Sequence, residues 1–311
     1  MRLRLGRPDV RRHADRFDVP PATAESPVTV TFLGVATLLF DDGRSAVMTD
    51  GFFSRPPLLK VAAGRLAPDV ARIEYGLTRA GRERLDAVAA VHSHFDHAMD
   101  SAVVASRTGA ALLGGESTAN IGRGGGLAED RITAVRSGDR VPAGNFALTF
   151  VTSAHCPPDR FPGVIDRPVV PPVRAAAYKC GEAWSILVAH ASGRTALVQG
   201  SAGYVEHALD GRRADVAYLG VGQLGVLDES YLTGYWQHTV RAVGARRVVL
   251  IHWDDFFRPL DEPLRALPYA GDDLDVTMGV LSELAAADGV PLHLPTVWTR
   301  EDPWLGLSPL T

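Results

Sequence analysis

Cysteine and lysine are nearly absent from this sequence. Two cysteines in 311 residues, Cys156 and Cys180, exclude both a disulfide framework and a cysteine-rich zinc site. Only Lys60 and Lys179 carry an ammonium; the other 30 of the 32 basic residues are arginine. Alongside the many Ala and Gly, this reads as compositional bias rather than an anion-binding design. With 36 acidic residues the net charge is -4, so nothing draws the chain to nucleic acid. No stretch approaches the ~20 apolar residues of a membrane span. Residues 1–19 hold no apolar run long enough for a signal-peptide core. The expectation is a soluble cytoplasmic protein with a small-molecule partner, no nucleic acid and no membrane span; its oligomeric state is not readable. What the chain does have is ten histidines. Any metal must therefore be held by imidazole and carboxylate.

The patterning is that of an α/β protein. Residues 28–40 are rich in β-branched and aromatic types, and Asp41-Asp42-Gly43 supplies turn chemistry before residues 45–49 return, so a hairpin is expected. Residues 52–78 carry Pro56, Pro57, Gly64 and Pro68 and read as a long irregular loop. Residues 85–91 form an apolar strand that runs into His92. Helix over 100–107, strand over 110–113, a short helix near Ser117 and strands around 132–135 and 146–152 follow. The second half repeats this logic. It has strands at 175–179, 184–189 and 195–199, a short helix at 204–209, strands at 216–219 and 247–251, and helices at 229–243 and 276–287. A last strand lies near Leu292. Each half places strands first and then alternates strand with helix, which suits two mixed sheets packed face to face with helices outside. The polar residues 1–27 read as a lead-in arm, and residues 28–311 as one domain made of two halves.

The strongest chemical signal is His92-Ser93-His94-Phe95-Asp96-His97, with four potential ligands in six residues directly after an apolar strand. Residues two apart in extended chain point the same way, so His92 and His94 can reach one ion. Asp96 and His97 fall where the chain must turn, and a turn can aim them at a second point nearby. The carboxyl end of a buried strand is where α/β proteins place their chemistry. Single histidines in a loop are ordinary polar residues; four ligand types at this spacing are not.

This hexapeptide resembles the His-x-His-x-Asp-His signature of the metallo-β-lactamase superfamily, and supporting motifs follow in that family's order from residue 28 to 294. The resemblance implies a four-layer αββα sandwich. It implies that Asp50, in Thr49-Asp50-Gly51, orients a ligand histidine. His155, in TSAHCPP, would complete the first metal site with His92 and His94. His252, in VVLIHWDDF, would complete a second with Asp96 and His97. The wording SHFDHAMD, GSAGY and IHW is nearer to the branch holding L-ascorbate-6-phosphate lactonase and N-acyl-phosphatidylethanolamine phospholipase D than to antibiotic-hydrolysing members. One departure stands out. Ser201 occupies the place of the aspartate that usually bridges two metals, and a neutral hydroxyl is a weak ligand or none. Two arrangements follow: one metal on the three histidines, or two metals with the second held more weakly, which we prefer. The implied cofactor is zinc, one or two ions, with manganese or iron as alternatives.

The implied activity is metal-dependent hydrolysis of an ester, lactone or phosphodiester of a small molecule by metal-bound hydroxide, with Asp96 as catalytic residue. A β-lactamase-type amide hydrolase and a non-catalytic metal-binding or scaffold relative are the alternatives. His13, His190, His207, His238 and His293 match no ligand position and read as surface or capping residues. Cys156 reads as a packed small residue rather than a nucleophile. Gly122-Arg123-Gly124-Gly125-Gly126 lacks the ending of a phosphate loop and reads as a flexible loop. Asp254 and Asp255 support a ligand or start a helix. Segments 52–78 and 156–173 are the expected pocket walls. Phe52, Phe53, Leu58 and Leu59 would give an apolar lining, and Arg160, Arg167 and Arg174 would meet an anion.

Overall fold

The structure is a computed structural model and describes residues 4–308. The first sheet is built from β1 (Thr29–Phe32), β2 (Leu38–Asp41), β3 (Ala46–Thr49), β4 (Ala87–Ala89), β5 (Ala111–Gly114) and β6 (Ile132–Ala134). The second contains β7 (Arg140–Ala143), β8 (Phe146–Thr152), β9 (Trp184–His190), β10 (Thr195–Gln199), β11 (Val216–Gly220), β12 (Arg247–Ile251) and β13 (Leu292–His293). A last strand, β14 (Arg300–Glu301), returns to the first sheet, giving the orders β14-β1-β2-β3-β4-β5-β6 and β13-β12-β11-β10-β9-β8-β7. In both sheets, antiparallel pairing gives way to parallel pairing partway across: at β3–β4 in one, at β10–β11 in the other. The chain therefore does repeat its logic in two halves.

Side-chain alternation along the strands creates the layers. Phe40, Val47, Ala87 and Ala89 face the second sheet and pack with Phe150, Ile186, Val198 and Tyr218. Their neighbours Leu39, Met48 and Val88 face outward, against Ile73 and Leu77 of α2 (Val70–Ala80) and Val104 and Ala105 of α4 (Ser101–Thr108). Successive residues of a strand point to opposite faces, so strands apolar at every position are covered on both sides. The outer layer over the first sheet also carries α1 (Leu58–Ala63), α3 (Phe95–Ala98) and α5 (Glu116–Gly124); α6 (Glu229–Trp236) and α7 (Leu274–Asp288) belong to the second half. The result is the expected four-layer αββα sandwich.

Several local expectations are corrected. Residues 28–40 form two strands, because Gly34 and Val35 take positive φ (86° and 53°) and reverse the chain between Phe32 and Leu38. Residues 52–78 are not one loop. The Asp69 carboxylate caps α2 by accepting the Arg72 amide, Gly81 ends that helix in the left-handed region, and Ile73, Gly76 and Leu77 form its buried face. The prolines that suggested a loop precede α1 and α2 rather than interrupt them. Gly122, Arg123 and Gly124 are the last turn of α5, where Gly124 lies flat against the Val169 backbone with no room for a Cβ. Residues Ala175–Ala177 form a 3-10 turn instead of a strand, and 204–209 form turns instead of a helix. The short strands β7 and β14 went unread, since four residues and two leave no periodicity to detect.

Residues before β1 lie along the second half. Val19 is buried, the Leu294 amide donates to Arg16 O and the Asp302 amide to Pro20 O. The His293 ring is 2.6 Å from Asp18, so His293 is a buried partner of this segment rather than a surface residue. Beside it, β14 carries Glu301, whose carboxylate accepts the Thr296 amide and is 2% exposed. Burial pushes this carboxyl up to about 8. The folded state then binds a proton that the unfolded state releases near pH 4.5, so stability falls as pH rises from about 4.5 towards 8. Glu301→Gln keeps an acceptor for Thr296 and should flatten that slope. Urea midpoints measured at pH 5 and pH 8 check it, and an unchanged slope would place the proton elsewhere.

Among the described residues no helix is long and apolar enough to cross a membrane.

Candidate metal centre

The parallel strand β4 continues through Ala90 and Val91, both buried, and delivers His92 and His94 at its carboxyl end. His92 Nε2 lies 3.2 Å from His94 Nδ1. After β8, His155 brings its ring centroid to 4.9 Å from that of His92 and 4.6 Å from that of His94. One donor atom from each of the three lies within 4.8 Å of the others. His155 Nδ1 is 2.7 Å from its neighbour's carbonyl, Cys156 O, which fixes the proton on Nδ1 and leaves Nε2 with the lone pair.

His94 also starts α3, a single turn that swings Asp96 and His97 to one side. Asp96 Oδ2 sits 3.7 Å from His97 Nε2 and 3.6 Å from His252 Nε2, and these three form a second buried group. The two groups are adjacent, with the His92 and His97 ring centroids 3.9 Å apart. Asp50 Oδ2 accepts from His97 Nδ1 at 2.7 Å, while its other oxygen accepts the Val91 amide. His97 Nε2 is buried with no hydrogen-bond partner. A buried ring nitrogen left without a partner is costly, and a cation bound there would satisfy it.

Backbone strain collects around these side chains. Val35, Asp50 and His252 all have positive φ (53°, 56° and 58°), and the His252 amide donates to Val35 O at 2.7 Å. Non-glycine residues hold such angles only when their surroundings over-determine them. For His252 those surroundings include a buried ion pair. The Arg55 guanidinium meets the Asp254 carboxylate with both side chains fully buried. Asp254 Oδ1 accepts the Val35 amide at 2.9 Å, and Arg55 Nε donates to Arg258 O. Asp254 is thus a support for the His252 turn and not a helix start.

Burial disfavours imidazolium in the first group. It pushes His92 well below its ordinary range, His94 down, and His155 down to about 4. All three are neutral donors at pH 7. Asp96 behaves oppositely: burial pushes its carboxyl up, but the His97 and His252 rings outweigh this and hold it below the usual carboxylate range. The first group is therefore three neutral imidazoles, and the second adds an ionised carboxylate to two more rings, a donor set suited to a divalent cation.

Ser201 follows β10, and its Oγ accepts the Cys156 amide at 2.9 Å. The hydroxyl is engaged in tying down the loop that presents His155. Gln199 shares that task through bonds to Ser153 Oγ and Gly203 O. Cys156 is buried, and burial pushes its thiol up to about 12, so it packs as a thiol. Arg160, Arg167 and Arg174 are exposed. Phe52 and Phe53 are buried in the core, and Leu58 and Leu59 are exposed, so the expected lining is corrected. The rings beside the ligands are instead Phe161, edge-on to His94 at 6.1 Å, and Phe256, edge-on to His252 at 5.6 Å. Sequence reasoning missed both, along with Arg55 and with Asp159, whose Oδ1 lies 3.2 Å from His94 Nε2. A lone arginine in the apolar run Phe52-Phe53-Ser54-Arg55-Pro56 was the only available hint.

The sequence matches no family model and no curated protein. Its fold does match solved structures. Igni18, a metallo hydrolase from Ignicoccus hospitalis, superposes with a TM-score of 0.51 at 14% identity, covering 86% of this chain and 94% of its own. YhfI from Bacillus subtilis, a metallo-β-lactamase fold protein, gives 0.51 at 15% identity, covering 88% and 98%. The chain has the metallo-β-lactamase fold. The diiron β-hydroxylase CmlA from Streptomyces venezuelae also superposes, at 0.53 and 12% identity, over 90% of this chain and 54% of that longer one. Proteins sharing the metallo-β-lactamase fold thus include both a hydrolase and an oxidative enzyme, so function must be argued from the site.

Proposed function

We propose that this chain is a metal-dependent hydrolase acting on an ester, lactone or phosphodiester of a small molecule. The observation that carries the reading is the pair of adjacent donor groups, the second wholly buried and holding the unpartnered Nε2 of His97. His92, His94 and His155 would hold one ion, and Asp96, His97 and His252 a second. Zinc fits a nitrogen-rich donor set, and manganese or iron would also be accepted there. When bound, such ions supply Lewis acidity and make water acidic enough to serve as a nucleophile near neutral pH.

The chain's own residues do the rest. Asp96, ionised and placed between two imidazoles, supplies the carboxylate of the second group: it would ligate the second ion, or accept the proton of water where that position is empty. Asp50 fixes the His97 ring so that Nε2 faces inward. Ser201 holds the His155 loop without adding charge. Phe161 and Phe256, both half-buried, place apolar rings edge-on beside two of the ligand rings. The segments SHFDHAMD, GSAGY and IHW support a lactone or phosphodiester substrate over a β-lactam.

Elemental analysis of the untreated protein should find one or two equivalents of transition metal. A panel of lactones, phosphodiesters and simple esters should show hydrolysis that a chelator abolishes and metal restores. Nitrocefin hydrolysis in place of these would move the reading to amide hydrolysis, and absence of both metal and turnover would end it. Ser201→Asp should bind a second equivalent more tightly, since it adds a carboxylate at the position of the usual bridge while keeping an acceptor for Cys156. A tightening of about tenfold or more is expected; a titration showing unchanged affinity would mean that Ser201 lies too far from the donors.

A further inference from the structure

Five histidines present ring nitrogens at the centre, and a ring donating one nitrogen to a cation needs a hydrogen-bond acceptor at the other. His97 has Asp50, and His155 has Cys156 O. The outer nitrogens of His92 and His252 have no partner. His94 is the remaining case. Its Nδ1 faces His92 Nε2, while its Nε2 faces Asp159 Oδ1 at 3.2 Å and Phe161 O at 3.4 Å. Each donor group therefore contains one ring backed by a carboxylate. Asp50 belongs to the end of a buried strand, whereas Asp159 belongs to the loop that also carries Phe161.

That loop is joined to the ligand strand by a short chain of backbone bonds. The Phe161 amide donates to Asp159 Oδ1, the Cys180 amide to Phe161 O, and the Ser93 amide to Cys180 O. The Gly181 amide donates to Gly163 O. The Asp159–His94 contact is the only one of these links that reaches a donor ring through a carboxylate.

We propose that Asp159 is the positioning residue of His94, fixing its tautomer for cation binding through Nδ1 and latching the Phe161 loop to the three-histidine group. This rests on the metal reading above and deepens it. A carboxylate acceptor makes the ring a better donor than a carbonyl alone does, because it stabilises the positive charge that develops on the ring when Nδ1 binds a cation. Asp159 is partly exposed and lies outside the core, so its replacement is expected to leave the fold intact.

The test compares Asp159→Ala and Asp159→Asn with the full-length protein, using zinc titrations against a chromophoric chelator and the visible spectrum of the cobalt-substituted protein. The equivalent belonging to the three-histidine group is identified as the one lost in His92→Ala. Asp159→Ala should weaken that equivalent about 10–100-fold and change its cobalt spectrum, with the other equivalent unmoved. Asp159→Asn should show a smaller loss, since its amide oxygen still accepts from Phe161 but carries no charge. If Asp159→Ala does not fold, the Asp159→Asn titration decides. Unchanged affinity and spectrum in both variants would overturn the positioning role while leaving the metal reading intact. Wild-type protein that binds no metal would overturn both, and the two failures are told apart by the wild-type titration alone.

Discussion

Asp96→Asn should reduce turnover by about 10²–10⁴-fold while leaving the protein folded, the range for loss of a placed acid–base group. The substitution is isosteric and removes only charge. Asp96 is the sole carboxylate between the His97 and His252 rings, within 4 Å of both. Without it the second group is two imidazoles beside a further three, with nothing anionic at its centre except Asp50 behind His97. A bound metal count should fall along with turnover, and thermal stability at neutral pH should fall as well, because a carboxylate that the fold holds below its usual range contributes stability there. Steady-state kinetics and elemental analysis on the same preparation read both effects. Full metal content with full activity would remove Asp96 from the chemistry.

The largest loss of stability should come from the Arg55–Asp254 pair. Arg55→Ala is expected to cost about 3–5 kcal/mol, since it leaves Asp254 as a buried, unpaired charge. Asp254→Asn should cost less, because an amide oxygen can still accept the Val35 amide. The pair sits under the turn in which the Val35 carbonyl receives the His252 amide, so metal affinity in the second group should fall with stability. Urea unfolding, with and without metal, separates the two consequences. A loss within about 0.5 kcal/mol, as for an ordinary surface position, would show that the pair does not bear on the fold. Neither residue hydrogen-bonds a ligand side chain; Asp254 reaches His252 through the backbone of Val35, both held at positive φ.

These two residues also mark where sequence reading stops. The apolar strand ending in His92-Ser93-His94-Phe95-Asp96-His97 is local chemistry. Strand periodicity places two imidazoles on one side, and the one-turn helix α3 begins within the same six residues. The four-layer architecture was legible because each half alternates strand and helix with strands apolar on both faces. The irregular reading of residues 52–78 failed for a local reason: prolines at helix starts look like prolines in loops until the buried face of α2 is seen.

The sequence alone therefore determined the donor types, their likeness in order to a known motif, and the exclusion of a cysteine-rich zinc site. It also showed a serine, Ser201, where the motif it resembles has a carboxylate, although not what that serine does. Tertiary structure alone decided that His94 has Asp159 behind it and that His252 rests on Arg55 and Asp254. It also decided that Phe161 and Phe256, rather than Phe52 and Phe53, stand beside the ligands. The physical reason is sequence distance. Asp159 meets a histidine 65 positions earlier, and Arg55 meets an aspartate 199 positions later. No local propensity or spacing encodes such pairs; they form only after two sheets have stacked and brought both halves of the chain to one edge.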